Sequence, residues 1–474
     1  MLRVLLVSAL AARGISLSAQ ETLDLVITGG RVIDPASGLD AVRSVGIAGD
    51  RITVVTAEPV RSRRTIDARG LVVAPGFIDL LAGTSVEAEG QIYKVFDGVT
   101  TVVSMHGGPV DVERWYAARG DTGSYHHFGT TVGHQALREA AGVTDRYAAA
   151  TVEQLETMVD LARDAIALGA VGIGFGVAYV PGASREEVLR LFEVAAEAGV
   201  PAHLHIRHFG PVPPDNSSLD AVEEVIAAAA ATGASAQIVH IGSMVASPGD
   251  MRTALWMIEG ARKRGIDVMA DVYPYTAAST GLSTTTFDPG WEERFGGISY
   301  RDLELVSNGE RLTAESFTRY REQGRVNVII HYIPEETVRM ALAHPLVMVG
   351  SDGVISEGRG HPRGAGTFAR VLGRYVREQN VLTLPDAIRK MTLMPAQRLE
   401  RSVPAMGRKG RISAGADADV VVFDPGTVID RATFADPAQR SAGMRYVVVA
   451  GRLVVDDGQL VEGTKPGRPI RGRR

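Results

Sequence analysis

The sequence predicts an α/β protein: a (β/α)8 TIM-like barrel with a small β-sandwich domain built from both chain ends. Short apolar runs alternate with helical patterns through the middle of the chain, and this alternation predicts the barrel. Strand patterns around glycine turns stand at both ends and predict the smaller domain. The chain has 474 residues, 45% of them hydrophobic, which is enough to bury a core of this size.

The terminal domain is predicted from two hairpin patterns rich in β-branched residues. The first turns at Gly29-Gly30 and the second at Gly451. The last ten residues are basic and contain proline and glycine, so we expect a solvated, mobile end. The expected divisions are a sandwich from 21–73 and 409–464, a barrel from 74–408, and a basic tail from 465–474.

Eight apolar runs of strand length predict the barrel strands. Helical patterns separate them, such as 152–168, and 185–198 behind the capping box Ser184-Arg185-Glu186-Glu187. Residues from about 276 to 340 are too many for one connecting helix, so we expect an insertion that roofs the barrel mouth. The runs are 73–80, 100–105, 128–132, 171–175, 202–206, 237–241, 267–272 and 346–349.

Composition excludes several classes of protein. The formal net charge of −5 gives no bias toward nucleic acid or anionic lipid, and we expect a small-molecule partner. The chain has no cysteine, which excludes disulfides, a cysteine nucleophile and iron–sulfur clusters. A metal ion must therefore be held by His, Asp, Glu or a modified Lys.

The N-terminus resembles a secretory signal. A basic start is followed by an apolar stretch, 4–12, and by small residues near Ala19, so residues 1–20 are predicted to direct the protein to the periplasm or out of the cell. The alternative is a start-site extension on a cytoplasmic protein. No later segment has the roughly 20 apolar residues that a membrane span needs.

Polar residues cluster where the predicted strands end. His106 follows run two, His203 and His205 lie in run five, His240 lies in run six and Asp352 follows run eight. The carboxyl ends of barrel strands meet at one mouth, so we expect these side chains to converge there. Imidazoles with a carboxylate are the ligands that Zn²⁺ prefers, with Mn²⁺ or Fe²⁺ as alternatives.

Several motifs resemble those of the amidohydrolase superfamily, and within it the N-acyl-D-amino-acid deacylases. The stretch 333–424 resembles the N-acyl-D-glutamate deacylase-like branch most closely, and the likeness runs through nearly the whole chain from Leu23. The resemblance implies a β-sandwich with a metal-bearing barrel. The motifs are Ala74-Pro75-Gly76-Phe77-Ile78-Asp79, Asp97-Gly98-Val99-Thr100-Thr101, Tyr273-Pro274-Tyr275-Thr276, Gly350-Ser351-Asp352-Gly353, His361-Pro362-Arg363, Gly366-Thr367-Phe368 and Ala416-Asp417-Ala418-Asp419.

The resemblance also implies a ligand set, with one departure. The family's ligands fall on His205, His240 and Asp352, and a position that is cysteine in D-aminoacylases falls at or beside His106. The first-strand His-x-His of the family is absent, because Leu81 and Gly83 stand at those positions. We therefore expect one Zn²⁺ ion held by His106, His205, His240 and Asp352.

The implied reaction is hydrolysis of a linear amide by metal-bound hydroxide. An N-acyl-D-amino acid is expected as substrate, with the D-glutamate type favoured, and Asp352 is expected to take and return the proton. Arg207 and Arg363 are candidates for the substrate carboxylate, since a guanidinium matches it bidentately. Tyr273 and Ser279 match family positions near the substrate.

Two alternatives remain open: the same fold acting on a cyclic amide, lactone or D-dipeptide, and a non-catalytic descendant that binds a ligand. The glycines of run four, 172–176, imitate a dinucleotide fingerprint, but they follow a helix and do not open one, which argues against that function. His331, His344 and His361 are interpreted as structural, and at least one of His126, His127 and His134 is expected to line the mouth.

Overall fold

A computed structural model describes residues 22–82, 88–211 and 217–473. The predicted signal segment, 1–20, lies outside the described residues, and so does Gly83. The strands are β1 (Leu23–Asp34), β2 (Leu39–Ala48), β3 (Arg51–Thr56), β4 (Ser62–Asp67), β5 (Val72–Pro75), β6 (Phe77–Asp79), β7 (Val99–Ser104), β8 (His127–Thr130), β9 (Val132–Gly133), β10 (Ile173–Gly176), β11 (Ala202–His205), β12 (Ala236–Ile238), β13 (Val268–Val272), β14 (Ala277–Gly281), β15 (Leu303–Leu305), β16 (Asn327–His331), β17 (Val347–Val349), β18 (Ile355–Ser356), β19 (Arg359–Gly360), β20 (Val420–Phe423), β21 (Met444–Val449), β22 (Arg452–Asp456) and β23 (Gln459–Leu460).

Helices follow most of the barrel strands, as expected for alternating β and α elements. They are α1 (Ala88–Phe96), α2 (Val112–Thr122), α3 (His134–Ala140), α4 (Val152–Ala167), α5 (Arg185–Ala198), α6 (Ser218–Thr232), α7 (Ile241–Met244), α8 (Pro248–Lys263), α9 (Trp291–Arg294), α10 (Ala314–Gln323), α11 (Glu335–Ala343), α12 (Arg363–Arg370), α13 (Leu384–Met391) and α14 (Leu393–Glu400). None of the helices described is long and apolar enough to cross a membrane.

Strands from both chain ends form one nine-stranded sheet. Its order is β23-β22-β21-β20-β5-β1-β2-β3, and β4 pairs with β1 beside this path. The pairing of β20 with β5 joins the two ends of the chain antiparallel. Alternate apolar residues such as Ile27, Val45 and Val420 are buried in its core because successive side chains point to opposite faces of a strand.

The predicted hairpin at Gly29-Gly30 is wrong, whereas the one at Gly451 is confirmed. β1 continues through Gly29-Gly30 with a bulge, and both of its halves pair with β2. A Cβ on Gly30 would lie 2.6 Å from the side chain of Val73, so close packing accounts for this glycine. At the other end, β21 and β22 pair antiparallel around Ala450-Gly451.

The eight predicted apolar runs contain the barrel strands. β6, β7 and β8 form one parallel ladder, and β9 to β13 followed by β17 form another. Thr131 is the residue between β8 and β9, so one kinked strand belongs to both ladders. At the seam between first and last strands, the Asp352 amide donates to the Leu81 carbonyl at 2.5 Å. This is the α/β barrel architecture that the sequence predicts.

The predicted insertion covers the carboxyl ends of the strands. It contains a three-stranded sheet of order β14-β16-β15, together with α9 and α10. Phe295 and Tyr332 pack edge to face within it, with ring centroids 4.7 Å apart. Residues Ala278, Ser279, Thr280, Phe295 and Ile330 of this segment line a cavity at the barrel mouth.

The C-terminal tail is not a mobile end, contrary to the expectation from its composition. Ile470 is buried, and its amide donates to the Phe128 carbonyl at 2.7 Å. The Tyr116 hydroxyl donates to the Ile470 carbonyl, and the Arg471 guanidinium lies over the Tyr116 ring. Backbone hydrogen bonds and the buried Ile470 side chain therefore hold the tail in place, although its composition predicts a solvated segment.

The capping box at α5 forms only in part. Ser184 Oγ accepts from the Glu187 amide at 3.0 Å, as predicted. The Glu187 carboxylate turns instead toward α3, where Arg138 Nη1 donates to both of its oxygens at 2.7 Å. His134 Nε2 lies 2.5 Å from the same carboxylate, which gives His134 a structural role.

This buried cluster predicts a pH-dependent stability. Burial by itself would raise the pKa of Glu187, but hydrogen bonds and charges from His134 and Arg138 outweigh it and hold the pKa below its ordinary value. The resulting stabilisation is therefore present above the unfolded-state pKa of about 4.3 and is lost as the pH falls through the folded-state pKa. Glu187→Gln is expected to lower the free energy of unfolding by about 3–5 kcal/mol at pH 7, with a difference from wild type that shrinks below about pH 4.

Urea unfolding across this pH range measures the effect. Glu186→Gln is the matched control, because Glu186 is the exposed neighbour in the same helical turn, and it is expected to change stability by about 0.5 kcal/mol or less. An acid limb of equal slope in wild type and Glu187→Gln would contradict the assignment.

Candidate metal centre and substrate cavity

Three side chains from different strand ends converge at the barrel mouth. His106, His240 and Asp352 each offer a ligand atom, and these atoms lie within 4.8 Å of one another. The residues follow β7, β12 and β17, so no two are close in sequence. The barrel is what brings them together.

The backbone at His240 sets the direction of its imidazole. The residue has a φ of 35°, in the left-handed region, and its amide donates to Asp271 Oδ1 at 2.7 Å. Its Nδ1 lies 2.8 Å from Ser243 Oγ, so Nε2 remains for a ligand. Burial lowers the pKa of His240 well below its ordinary value, and the nearby charges of His106 and Arg363 act in the same direction. The ring is therefore neutral at pH 7, the form that binds metal.

Asp352 lies between the histidines and an arginine. Its Oδ1 is 3.6 Å from His106 Nε2, and its Oδ2 accepts from Arg363 Nη2 at 2.7 Å. The φ of Asp352 is 51°, a left-handed conformation that Asp tolerates better than most residues. One carboxylate thus serves the metal group with one oxygen and the substrate cavity with the other.

His205 lies beside this group, but it is not one of the three residues whose ligand atoms lie within 4.8 Å of one another. Its ring centroid is 4.8 Å from that of His240 and 4.6 Å from that of Tyr179. Burial lowers the pKa of His205 well below its ordinary value, and the charges of His240 and His106 lower it further. His203 is fully buried below, and neither of its ring nitrogens has a hydrogen-bond partner among the described residues.

The residues present fit a divalent metal ion. His106 Nδ1 is buried with no hydrogen-bond partner among the described residues, although its ring is directed to two other ligand-type side chains. With bonds of about 2.0–2.1 Å and tetrahedral angles, ligand atoms around zinc lie about 3.3 Å apart. The ligand atoms, which lie within 4.8 Å of one another, would approach one another to that spacing around a bound ion.

A cavity adjoins the group. His205, His240, Asp352, Tyr273, Ser279 and Arg363 all line it. Arg363 is the one lysine or arginine among its described lining residues, and its guanidinium lies 4.5 Å from the Tyr273 ring centroid. A second, wider compartment, which shares Asp352 and Arg363 with the first, includes His106, Asn327 and Arg359.

Two buried donors in this cavity lack partners among the described residues: the Tyr273 hydroxyl and Arg363 Nε. Burial raises the pKa of Tyr273 to about 12, so the hydroxyl keeps its proton at neutral pH. Buried donors without partners are costly in a protein and commonly mark a place where a ligand binds.

The structure separates Arg207 from the other predicted substrate residues. Its Nε and Nη2 donate to the two oxygens of Glu224 at 2.9 and 2.7 Å, and its Nη1 donates to the Ala183 carbonyl. Arg207 lines a different depression, beside Tyr147 and Asp288. Both Nε and Nη2 of Arg207 are paired with one carboxylate, so this bidentate edge is occupied, whereas Arg363 gives only Nη2 to Asp352 and its Nε has no partner among the described residues.

Several residues of the site were missed by sequence reasoning. The Tyr179 ring packs against His205 at a tilt, Ser243 hydrogen-bonds His240, and Asp271 accepts from the His240 amide. Two of these residues could have been found from the sequence. Tyr179 follows β10 and Asp271 interrupts the apolar run of β13, and polar residues at or near the ends of barrel strands are candidates for function. Phe209 and Phe295, which line the cavity, gave no such signal, because the sequence does not distinguish an apolar residue that lines a cavity from one that packs in the core.

The fold and the site together define an amidohydrolase: a metal-ligating group at the mouth of an α/β barrel, with a terminal sheet from both chain ends. The family model for amidohydrolases matches residues 307–455. Within this class the chain belongs to the N-acyl-D-amino-acid deacylase family. It is 36% identical to N-acyl-D-glutamate deacylase of Alcaligenes xylosoxydans xylosoxydans, over 95% of this chain and 97% of the relative.

Other relatives agree. D-aminoacylase of the same organism is 33% identical over 96% of this chain and 99% of its own length. N-acyl-D-glutamate deacylase from Bordetella bronchiseptica, solved in complex with zinc and a phosphonate inhibitor, superposes with a TM-score of 0.83 and 33% identity, over 95% of this chain and all of that one.

Removal of one candidate ligand tests the metal centre. Wild-type protein, stripped and reconstituted with zinc, is expected to bind one equivalent. His240→Ala is expected to bind zinc more weakly by more than the roughly 10–100-fold that loss of an outer hydrogen-bond partner costs. Elemental analysis and chelator competition provide the measurement.

The control is His344→Ala, since His344 lies at the end of α11 among residues that line neither compartment. It is expected to bind zinc like wild type. Equal zinc binding by His240→Ala and wild type would show that the ion, if any, is held elsewhere.

Proposed function

We propose that this protein hydrolyses N-acyl-D-amino acids to a carboxylate and a free D-amino acid, with one divalent metal ion. The observation that carries the proposal is the placement of two unpartnered donors, Tyr273 Oη and Arg363 Nε, in a cavity that also holds the metal-ligating group. Such donors suit the carboxylate of an acylated amino acid, and the ligand group suits the adjacent amide.

His106, His205 and His240 would supply nitrogen ligands, and Asp352 an oxygen ligand. Zn²⁺ is the ion proposed, in keeping with the neutral imidazoles and the zinc of the Bordetella bronchiseptica protein. When bound, such an ion supplies Lewis acidity, which lowers the pKa of water and polarises a carbonyl.

Asp352 would move the proton. Its Oδ1 faces His106 and is the oxygen proposed for the metal ion, so Oδ2, on the side of Arg363 and the cavity, is proposed to take the proton of the attacking water and return it to the leaving nitrogen. The Arg363 guanidinium fixes the plane of this carboxylate. The roof formed by the insertion limits the access of bulk water.

Arg363, Tyr273 and Ser279 would bind the substrate carboxylate. A guanidinium and a protonated phenol are both donors, and they lie against each other as a cation and an aromatic ring. Ser279 lines both compartments, at the boundary where a substrate would pass.

Replacement of Arg363 tests the carboxylate site. Hydrogen bonds to charged groups contribute about 1.5–3 kcal/mol, so Arg363→Gln is expected to lower kcat/KM for N-acetyl-D-amino acids about 10- to 100-fold. Much of the effect is expected in KM, and Arg363→Lys is expected to recover part of it. Arg207→Gln serves as the comparison variant. A large increase in KM in Arg207→Gln, together with an unchanged KM in Arg363→Gln, would show that the substrate carboxylate binds outside the cavity.

The two compartments favour different side chains on the amino-acid part of the substrate. The resemblance to the N-acyl-D-glutamate deacylase branch favours an acidic side chain, and Arg359 in the wider compartment supplies a cation for it. A second candidate is an apolar side chain, favoured by the aromatic wall of Phe209, Phe295 and Tyr332 in the inner cavity. An uncompensated carboxylate is costly among such groups.

Kinetics with the N-acetyl derivatives of D-glutamate, D-leucine and their L enantiomers distinguish these possibilities. We expect turnover of D substrates and a preference of at least about tenfold over L, corresponding to about 1.4 kcal/mol. Turnover of a cyclic amide or lactone alone would favour the shifted-substrate alternative. Zinc binding without any hydrolysis would favour the non-catalytic one.

For localisation we propose export, on the basis of the N-terminal sequence alone. Fractionation of the producing cells, with the mature N-terminus determined by sequencing, tests it. Cleavage near residue 20 is the expected result, and an intact Met1 in the cytoplasm would contradict it.

A further inference from the structure

Two glycines on adjacent strands form a flat surface under the segment that carries His106. Gly133 of β9 and Gly174 of β10 are register partners in the parallel ladder. Gly174 also pairs with His203, whose ring is buried inside the barrel. Directly paired residues point to the same face of a sheet, so a side chain at 174 would project into the barrel beside His203.

The backbone of residues 106–108 occupies that space. A Cβ on Gly174 would lie 2.6 Å from the Gly107 nitrogen and 2.8 Å from the His106 carbonyl carbon. A Cβ on Gly133 would lie 2.6 Å from the Gly108 oxygen and 2.8 Å from the Gly108 nitrogen. These are backbone atoms, which cannot rotate away as a flexible side chain does.

Hydrogen bonds fasten the segment to this surface. The Gly133 amide donates to the Gly108 carbonyl at 3.2 Å, and the Thr131 hydroxyl lies within hydrogen-bond distance of the Gly107 carbonyl. Gly108 has a φ of 134°, which L residues rarely adopt, and a Cβ there would meet the Thr131 carbonyl. The segment therefore has one close-fitting position.

This position explains how His106 reaches its partners. His106 leaves the second barrel strand, β7, whereas His240 follows the sixth strand and Asp352 the eighth. The segment crosses over the third and fourth strands, and the His106 ring comes to 6.0 Å from that of His240. Ordinary side chains at 133 and 174 would lift the segment away from the centre of the mouth.

We propose that Gly133 and Gly174 are positioning residues for His106, acting through the backbone of residues 106–108. The inference rests on the proposed function, since it takes His106 to be a metal ligand. It also accounts for a glycine of the 172–176 run that resembles a nucleotide motif. Gly172 of the same run has another role, because a Cβ there would lie 2.5 Å from the Pro201 carbonyl oxygen.

Zinc affinity of the full-length protein, measured by chelator competition after stripping, provides the first test. Gly174→Ala and Gly133→Ala are each expected to weaken zinc binding about 10- to 100-fold, the range known for residues that orient a ligand. Gly172→Ala is the matched control, equally crowded but directed at Pro201, and is expected to bind zinc within about threefold of wild type.

A double-mutant cycle shows whether the effect passes through His106. In a His106→Ala background, Gly174→Ala is expected to cause no further loss of zinc affinity, because the ligand that it displaces is already gone. An additive loss would overturn the proposal. Equal zinc affinity of Gly174→Ala and wild type would overturn it as well.

Hydrogen exchange of metal-free protein decides the point independently of zinc. Peptides covering 104–109 are expected to exchange faster in Gly174→Ala and Gly133→Ala than in wild type or Gly172→Ala. If the wild type binds no zinc, the proposed function fails, while this arm still shows whether the glycines hold the segment. Unchanged exchange would overturn the inference.

Thr131→Val provides a milder variant in case an alanine variant does not fold. It keeps the shape of a buried side chain and removes the hydroxyl, which lies within hydrogen-bond distance of the carbonyls of both Gly107 and Ser104. A severalfold loss of zinc affinity with faster exchange at 104–109 is expected. Wild-type behaviour in both measurements would contradict the proposed fastening.

Discussion

The carboxylate of Asp352 lies between the candidate metal-ligating group and the candidate substrate cavity, and its position depends on how its backbone is held. Its φ of 51° is a conformation that the surrounding structure must enforce. The Asp352 amide donates to the Leu81 carbonyl, and the Ser351 amide donates to Asp79 Oδ1 at 3.0 Å. The first and last barrel strands are thus tied together next to Asp352.

A buried ion pair completes this seam. Lys94 of α1 donates to Asp79 Oδ2 at 2.9 Å and to Ser351 Oγ at 2.6 Å. All three side chains are almost fully buried, so the ammonium compensates the carboxylate where water cannot. Leu81 extends the same strand with an apolar side chain at a position where relatives are expected to carry a ligand. Among the described residues, the end of the first strand therefore has a structural part in this seam, and the candidate ligands follow later strands.

The sequence predicted those parts of the molecule that depend on local pattern. Apolar runs indicated the barrel strands because each strand must be buried, and polar residues at their ends indicated His106, His240 and Asp352. Arg207 is different: its residue type suits a carboxylate, but Glu224, 17 positions along the chain, already supplies one. Such pairings depend on the distance between side chains in space, which spacing along the chain does not give.

Two predictions about the backbone were also wrong, because they took local composition as evidence and tertiary contacts decide the conformation. Gly29-Gly30 has the composition of a turn, yet tertiary packing against Val73 makes it a bulge within β1. The tail has the composition of a mobile end, yet Ile470 and a series of backbone hydrogen bonds fix it to the barrel. Backbone hydrogen bonding is nearly independent of residue type, and composition therefore does not reveal it.

The central claim is that one metal ion lies among His106, His205, His240 and Asp352. Anomalous diffraction at the zinc edge, from crystals of the zinc-loaded protein, tests it most directly. The account predicts a single peak with bonds of about 2.0–2.2 Å to these residues. No peak after reconstitution, a peak away from the group, or a second peak of equal height beside Leu81 would contradict it.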